Sequence, residues 1–333
     1  MSQGFTWRDA GRTVVFGYRA VADARQLLAE NDFASFELLS TPRALDGSAG
    51  LAEAAAAVHE VPVGAVPDAA AGLLEAVRSE RLAALGGGRV IDTAKAIAAV
   101  SGAEVAALPT TMSGAEMTGI HRLPAGAEQH ARGLVRPVLV LAEPALMTSQ
   151  PEAALRASSM NALAHGADSL YTPYANPVSR MAALRGAGLI AEALDEEPGG
   201  RDRDALALGS ILCGYAIDSA LFALHHVICQ TLVRICGSPH AETNAAVLPW
   251  AMAAMRRRAP DGLAELAAAI GTAPDGVAER IAELGRPEGL DAAGADRSRL
   301  EEALDAIEAR PELQFTPDPP GREELRGIVE AAW

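Results

Sequence analysis

Aromatic residues make up only 4% of this 333-residue chain. Whatever core it buries must therefore be built mainly from Ala, Leu and Val. Basic residues are also scarce, with 28 Lys and Arg against 43 Asp and Glu and a net charge of −15. That balance excludes nucleic acid as the main partner, because phosphates demand a basic face. No uninterrupted apolar stretch is long enough to cross a bilayer, and the opening MSQGFTWRDA lacks the apolar run of a secretory leader. The cysteines are Cys213, Cys229 and Cys236. They lie in apolar helical sequence without metal-ligand spacing, so inert, reduced core thiols and a cytoplasmic setting are expected. Lysine is rarest of all: Lys95 stands alone among many arginines. It marks a place where a compact ammonium is needed and a planar guanidinium will not serve.

What is present divides into two textures. RTVVFG, SFELLST, LAALGG, EVAALPT and PVLVLAE read as buried strands. Helical stretches such as PDAAAGLLEAVRSE, with Pro at its start, and VIDTAKAIAAV lie between them. This alternation predicts an α/β domain with a mostly parallel sheet covered on both faces. From Pro151 onward strand-like segments vanish. Ala- and Leu-rich helices follow one another, separated by turn signals such as YTPYANP, CGSPH and GTAPDG. The expected division is residues 1–149 as an α/β domain and 150–333 as an all-helical domain.

The first chemical pattern is ALGGGRVIDTAKAIA, a strand, three glycines and a helix. Gly86, Gly87 and Gly88 permit close backbone approach and positive φ. The helix that follows offers free N–H groups and a positive dipole end to a pyrophosphate. Asp92 and Lys95 lie one turn apart, either as a plain ion pair or as polar groups steadied beside a cofactor. Thr110, Thr111 and Ser113 form a hydroxyl-rich turn at a strand's C-terminal end, where ligands bind in open α/β sheets. A capping box of Ser113 with Glu116 accounts equally well for the serine.

The second pattern is helical. Asn161 and His165 are i and i+4, and so are His226 and Gln230, so each pair shares a helix face. His240 follows GSP and begins another helix. Three histidines from three helices, if they converge, form a legitimate first shell for a catalytic metal. Taken singly, each reads as a hydrogen-bonded core residue.

Together these segments resemble the iron-containing (group III) alcohol dehydrogenase superfamily, and within it the maleylacetate reductases. The resemblance runs from RTVVFG through GGGRVIDTAKAIA, LPTTMSGAEMT, MNALAHGADSLYTPYANPVSRMAALRGAGLI and HHVICQTLV…SPHAETNAAVLP to REELRGIVEAAW. It implies an architecture also similar to dehydroquinate synthase. It implies that Gly86, Gly87 and Gly88 hold the NAD(P) pyrophosphate. Asp92 and Lys95 match polar positions near the cofactor, and Thr110, Thr111 and Ser113 line its nicotinamide side. Asn161, His165, His226 and His240 match the metal-ligand positions of the alcohol dehydrogenases. The first of these is normally Asp. Asn removes the one anionic ligand, as in the maleylacetate reductases, which are regarded as metal-free, so no resident metal is expected.

Departures from the family pattern are equally informative. Gln230 replaces a histidine thought to serve proton transfer, and an amide cannot titrate. Proton delivery then falls to His226, His240, a tyrosine such as Tyr171, or water. Asn244 stands where a further histidine is common, Arg234 adds bulk and charge in TLVRIC, and FGYRAV lacks a second glycine. At the adenosine end LLSTPR has no acidic residue, so Ser40, Thr41 and Arg43 are candidates for a 2′-phosphate, and NADPH joins NADH as a cofactor. The leading expectation is an NAD(P)H-dependent reductase of a small, anionic oxo-acid or enoate. Arg122, Arg136 or Arg234 would pair with the substrate carboxylate. The second is a diverged lyase, isomerase or cyclase, and a non-catalytic binding partner is a third. A homodimer is the default assembly.

Overall fold

Alternate residues of a strand face opposite sides of its sheet, and here both sides are apolar. In the computed structural model, Leu82 and Ala84 of one central strand enter one core cluster while Ala83 and Leu85 enter the other. Val105 and Ala107 divide from Ala106 and Leu108 in the same way. The structure describes residues 4–17, 19–46 and 48–333; Tyr18, where FGYRAV departs from the family pattern, lies outside them. The chain forms two compact units, Met1–Ser149 and Gln150–Trp333.

The first unit carries one seven-stranded sheet. Its strands are β1 (Phe5–Asp9), β2 (Arg12–Phe16), β3 (Glu37–Ser40), β4 (Ala57–Glu60), β5 (Arg81–Gly86), β6 (Glu104–Pro109) and β7 (Leu139–Ala142), in the order β1-β2-β7-β6-β5-β3-β4. Every neighbouring pair is parallel except the β1–β2 hairpin. The hairpin turns through Ala10 and Gly11, both at positive φ, the geometry that suits the right-handed twist of its strands. Strands β1 and β4 are the two that the sequence pattern does not signal. They lie at the edges, where one face is exposed and the apolar run is broken. The helix expected over PDAAAGLLEAVRSE is shorter, Val66–Leu73, with Pro67 in its first turn.

The segment after β6 is not a helix, and the Ser113–Glu116 capping box does not form. Ser113 Oγ instead accepts from the Ala115 amide at 3.3 Å. Two cations pin this segment. Lys95, fully buried, donates to Asp92 Oδ1 at 2.8 Å and to the carbonyls of Ala115 and Ile120 at 3.0 Å each. Those contacts use all three ammonium donors, which point tetrahedrally as a flat guanidinium's cannot. From the other side Arg12 Nη1 donates to the Met117 carbonyl at 2.6 Å. Glu116 is shut in between, and neither carboxyl oxygen has a side-chain partner.

The second unit is helical, with principal helices Glu152–Asp168, Pro177–Asp195, Arg203–Ala220, Leu224–Cys236 and His240–Met255. The second and third of these touch at Gly186 and Gly209. A Cβ on either glycine would lie 2.8 Å from the other's carbonyl oxygen. Cys213 packs into the same seam, and burial pushes its thiol up to about 12, so it is inert. All three cysteines are buried and unbridged.

Burial pushes the Glu116 carboxyl up to about 7, against the nearby positive charge of Lys95. A carboxyl raised in this way stabilises fully below the unfolded value of 4.5 and loses that stability as pH rises through about 7. The loss amounts to about 3 kcal/mol once both states are ionised. Urea unfolding of Glu116→Gln should therefore show the variant gaining on wild type by up to that amount between pH 5 and 8. A difference that does not change with pH refutes the assignment.

Candidate active site

The glycine turn of the first unit works by contact rather than by torsion. Gly87 has φ −77° and ψ −175°, and none of Gly86, Gly87 and Gly88 is among the glycines at positive φ. The positive-φ part of the sequence reading is thus corrected. A Cβ on Gly86 would lie 2.6 Å from Val90, one on Gly87 3.0 Å from Thr111, and one on Gly88 2.9 Å from Ser113. The glycines let the β6 turn close onto the start of the Gly88–Ser101 helix, and Thr110 donates its amide to the Gly86 carbonyl at 3.0 Å. Thr110, Thr111 and Ser113 therefore gather at a helix N-terminus that has no side-chain cap. That is a cradle of backbone donors and hydroxyls suited to a pyrophosphate.

The remaining candidates in this unit divide. Asp92 is partly exposed on the cradle's own helix, whereas Lys95 is fully buried and its donors are consumed by Asp92 and the 115–120 segment. Ser40 is also fully buried, and its hydroxyl donates to the Leu85 carbonyl at 2.8 Å, so it does not present to a nucleotide. Thr41 caps the Pro42–Leu45 helix. Arg43, Arg122 and Arg136 are exposed.

In the second unit the histidines assemble around a residue that the sequence reading missed, Asp168. It is fully buried at the end of the Glu152–Asp168 helix. Its carboxylate accepts from His226 Nδ1 at 2.7 Å, the His226 amide at 3.3 Å, the Ala223 amide at 3.2 Å and the Tyr171 hydroxyl. The two amides open the Leu224–Cys236 helix, whose own N-cap, Ala223, has no side chain to give. Asp168 thus caps that helix from 55 residues away and sits at the positive end of its dipole. Burial pushes the carboxyl up, and the neighbouring His225 and these hydrogen bonds oppose it.

The bond to Asp168 fixes His226 with its proton on Nδ1. Burial pushes both His225 and His226 down to about 3, and His165 is lowered by the same cause. The His165 and His226 rings stack at 4.8 Å, and His225 meets His226 edge-on at 4.9 Å. His225 Nε2 bonds Asn244 Oδ1 at 2.8 Å, and Asn244 Nδ2 donates to the His240 carbonyl at 2.6 Å. His240 is exposed at the start of its helix, yet close enough for its charge to depress His165 and His226. Asn161 is buried on the His165 helix. Tyr171 donates to Asp168, and its hydroxyl is held well above the usual phenol range by burial, which removes it as a proton donor.

Gln230 accepts from Arg310 Nη2 at 3.1 Å. Arg234 is exposed, so its charge lies on the helix surface.

The residues at the family's metal positions can be tested for fit. One feature favours a cation: a carboxylate holding one ring nitrogen aims the other outward, and His226 Nε2 and His165 Nδ1 are buried without a protein partner. The other features do not. Among the described residues no three His, Cys, Asp or Glu side chains converge as a ligand set. Asn161 contributes a neutral amide, and two of the three histidines are stacked face to face. In this arrangement the set does not fit a resident dication.

A model of the Fe-containing alcohol dehydrogenase family, C-terminal, matches residues 156–333. Maleylacetate reductase from Rhizobium sp. is 31% identical over 350 residues, 99% of this chain and 98% of that protein. Maleylacetate reductase 1 from Rhodococcus opacus is 34% identical over 289 residues, covering 84% and 79%. The crystal structure of the Rhizobium enzyme superposes with a TM-score of 0.85 at 28% identity, over 100% of this chain and 99% of that one.

Replacing Asp168 by Asn keeps its size but removes the anion that four donors share. The new amide N–H would face donors instead of accepting from them, so we expect a loss of about 1–3 kcal/mol in unfolding free energy, and a His226 that no longer holds its proton on Nδ1 alone. Urea unfolding with nitrogen-detected histidine NMR reads both. A variant with wild-type stability and an unchanged tautomer would refute the account.

Proposed function

The chain belongs to the iron-containing alcohol dehydrogenase family, and from that membership we propose that it is an NAD(P)H-dependent reductase of the maleylacetate reductase type. It acts on a small carboxylate-bearing oxo-acid or enoate. The observation that carries this reading is the Asp168-centred histidine cluster, in a chain that also keeps the glycine cradle. Likeness to maleylacetate reductases over nearly the whole length supports it.

A nicotinamide cofactor supplies the hydride when bound. The chain's part begins at Gly86, Gly87 and Gly88, whose lack of side chains lets Thr111 and Ser113 close onto the start of the Gly88–Ser101 helix, where the first-turn amides and the hydroxyls of Thr110, Thr111 and Ser113 would hold the pyrophosphate. One hydride and one proton add across a C=C or C=O bond, so a proton source is needed. His225 and His226 are held neutral, down to about 3, and Tyr171 keeps its proton on Asp168, so none of them is an acid near neutrality. Gln230 carries none. The proton then comes from His240 or from water through it, and His226 presents Nε2 as an acceptor. We take the reaction to run without a resident metal, as a cytoplasmic homodimer.

The non-redox reading rests on Gln230, Asn244 and the crowded TLVRIC segment, whose Arg234 is exposed on the helix surface; the first two have partners of their own. Each is engaged by a neighbour, Gln230 by Arg310 and Asn244 by His225, which accounts for both without a change of chemistry.

Purified protein should oxidise NADH or NADPH in the presence of maleylacetate, with metal far below one equivalent and no loss of rate under chelator. Failure to turn over either nucleotide with any oxo-acid refutes the function. Stoichiometric iron or zinc with chelator sensitivity refutes the metal-free route. His240→Asn should lower kcat by about 100-fold with less change in KM; an unchanged kcat would transfer proton delivery to water alone.

A further inference from the structure

Arg310 was not singled out by any motif, and its surroundings are unusual for a surface arginine. It precedes the short turn Pro311–Phe315, and its side chain is only 19% exposed. Nε donates to Glu312 Oε2 at 2.9 Å, Nη2 donates to Gln230 Oε1 at 3.1 Å, and the guanidinium carbon lies 5.8 Å from the centre of the Phe222 ring. Phe222 in turn lies 6.0 Å from the His226 ring, and Gln230 is one helical turn from His226. Two routes, one through an aromatic ring and one along a helix face, therefore tie this guanidinium to the histidine cluster.

The contacts also settle how the corner can bind. A guanidinium has five donors and no acceptor, and Glu312 and Gln230 engage two of them. Because Gln230 Oε1 accepts from Arg310, its amide NH2 must face elsewhere, and the flip is fixed by that bond. Beside the Glu312 carboxylate, which is already paired with Nε, the corner thus offers further Arg310 N–H groups together with an amide N–H of Gln230. Phe222 supplies an apolar wall that strengthens charge pairing by excluding water. An array of donors around one cation is the chemistry that holds a carboxylate.

We propose that Arg310, with Gln230 beside it, binds a carboxylate group of the substrate. This assignment rests on the reductase reading for the word substrate, while the anion site itself stands on the geometry. It replaces Arg122, Arg136 and Arg234, all exposed, as the carboxylate partner. It also gives Gln230 a positive role. A neutral amide can accept from a guanidinium and still donate to an anion, whereas a protonated imidazole in its place could not accept from Arg310.

Two measurements test it. The first is direct binding of maleate to the full-length protein by titration calorimetry, which needs no turnover. Arg310→Met should weaken binding by about 10- to 100-fold, the range of one or two charge-assisted bonds. Gln230→Glu keeps Arg310 but places a carboxylate against it, and should weaken binding similarly; it keeps the test open if Arg310→Met does not fold. The second compares kcat/KM for an oxo-acid and its methyl ester. Arg310→Met should lose most of the preference for the acid, through KM rather than kcat. Binding of maleate that is lost in the variants, in a protein without NAD(P)H oxidation, would uphold the anion site and overturn only the reductase reading. Maleate binding equal in wild type and both variants, or no binding by wild type, overturns the proposal.

Discussion

A buried carboxylate has to be answered by donors, and Asp168 is answered from three directions at once. Taking the anion out of water costs several kcal/mol even after relaxation. Four hydrogen bonds, each worth about 1.5–3 kcal/mol to a charged acceptor, offset that cost. The donors come from the Tyr171 hydroxyl, two amides of the Leu224–Cys236 helix and the His226 ring. Leu221, at φ 58°, ends the preceding helix sharply and turns those amides inward. The geometry of the histidine cluster follows. His226 cannot rotate without stranding the carboxylate, His165 and His225 pack on its two sides, and Asn244 fixes His225 from beyond.

The first unit solves a comparable problem with the opposite sign. Lys95 is a buried cation answered by one carboxylate and two carbonyls, and what it holds is the segment that follows β6. Thr110 to Ser113 lead into that segment, so the position of the cradle's hydroxyls depends on a side chain that never reaches the surface. In each unit, then, one buried charge orients the candidate site groups around it. This also explains why one lysine persists in a chain that otherwise uses arginine.

The parts legible in the sequence were those encoded locally. Central strands show as apolar runs because both faces are covered, and the cradle shows as three glycines between a strand and a helix. Even there the reason was partly misread: the glycines are needed for the approach of Thr111 and Ser113, a contact between segments that no local pattern displays. Ser40 looked like a ligand hydroxyl because it ends a strand, but its bond to the neighbouring strand is visible only in the sheet. Asp168 was within reach, as a lone acid in the apolar HGADSLY segment three residues after His165. Its role depends on a helix that begins more than fifty residues later. Gln230 read as a loss because its partner, Arg310, lies 80 residues away.

Charge counting connects these features to the choice of substrate. With His165, His225 and His226 held neutral and Asn161 in place of an acid, the buried part of the cluster carries one formal charge, that of Asp168. A dication placed there would leave an uncompensated positive charge in a buried setting, a costly state. Without a Lewis acid, polarising the hydride acceptor falls to a proton donor or to the acceptor's own electron-withdrawing groups. A 4-oxo-enoate brings such a group with it, because its ketone draws electron density from the adjoining C=C bond. On the proposed reading, then, a neutral amide at position 161 and an activated, carboxylate-bearing substrate are compatible, because the substrate itself supplies part of the polarisation.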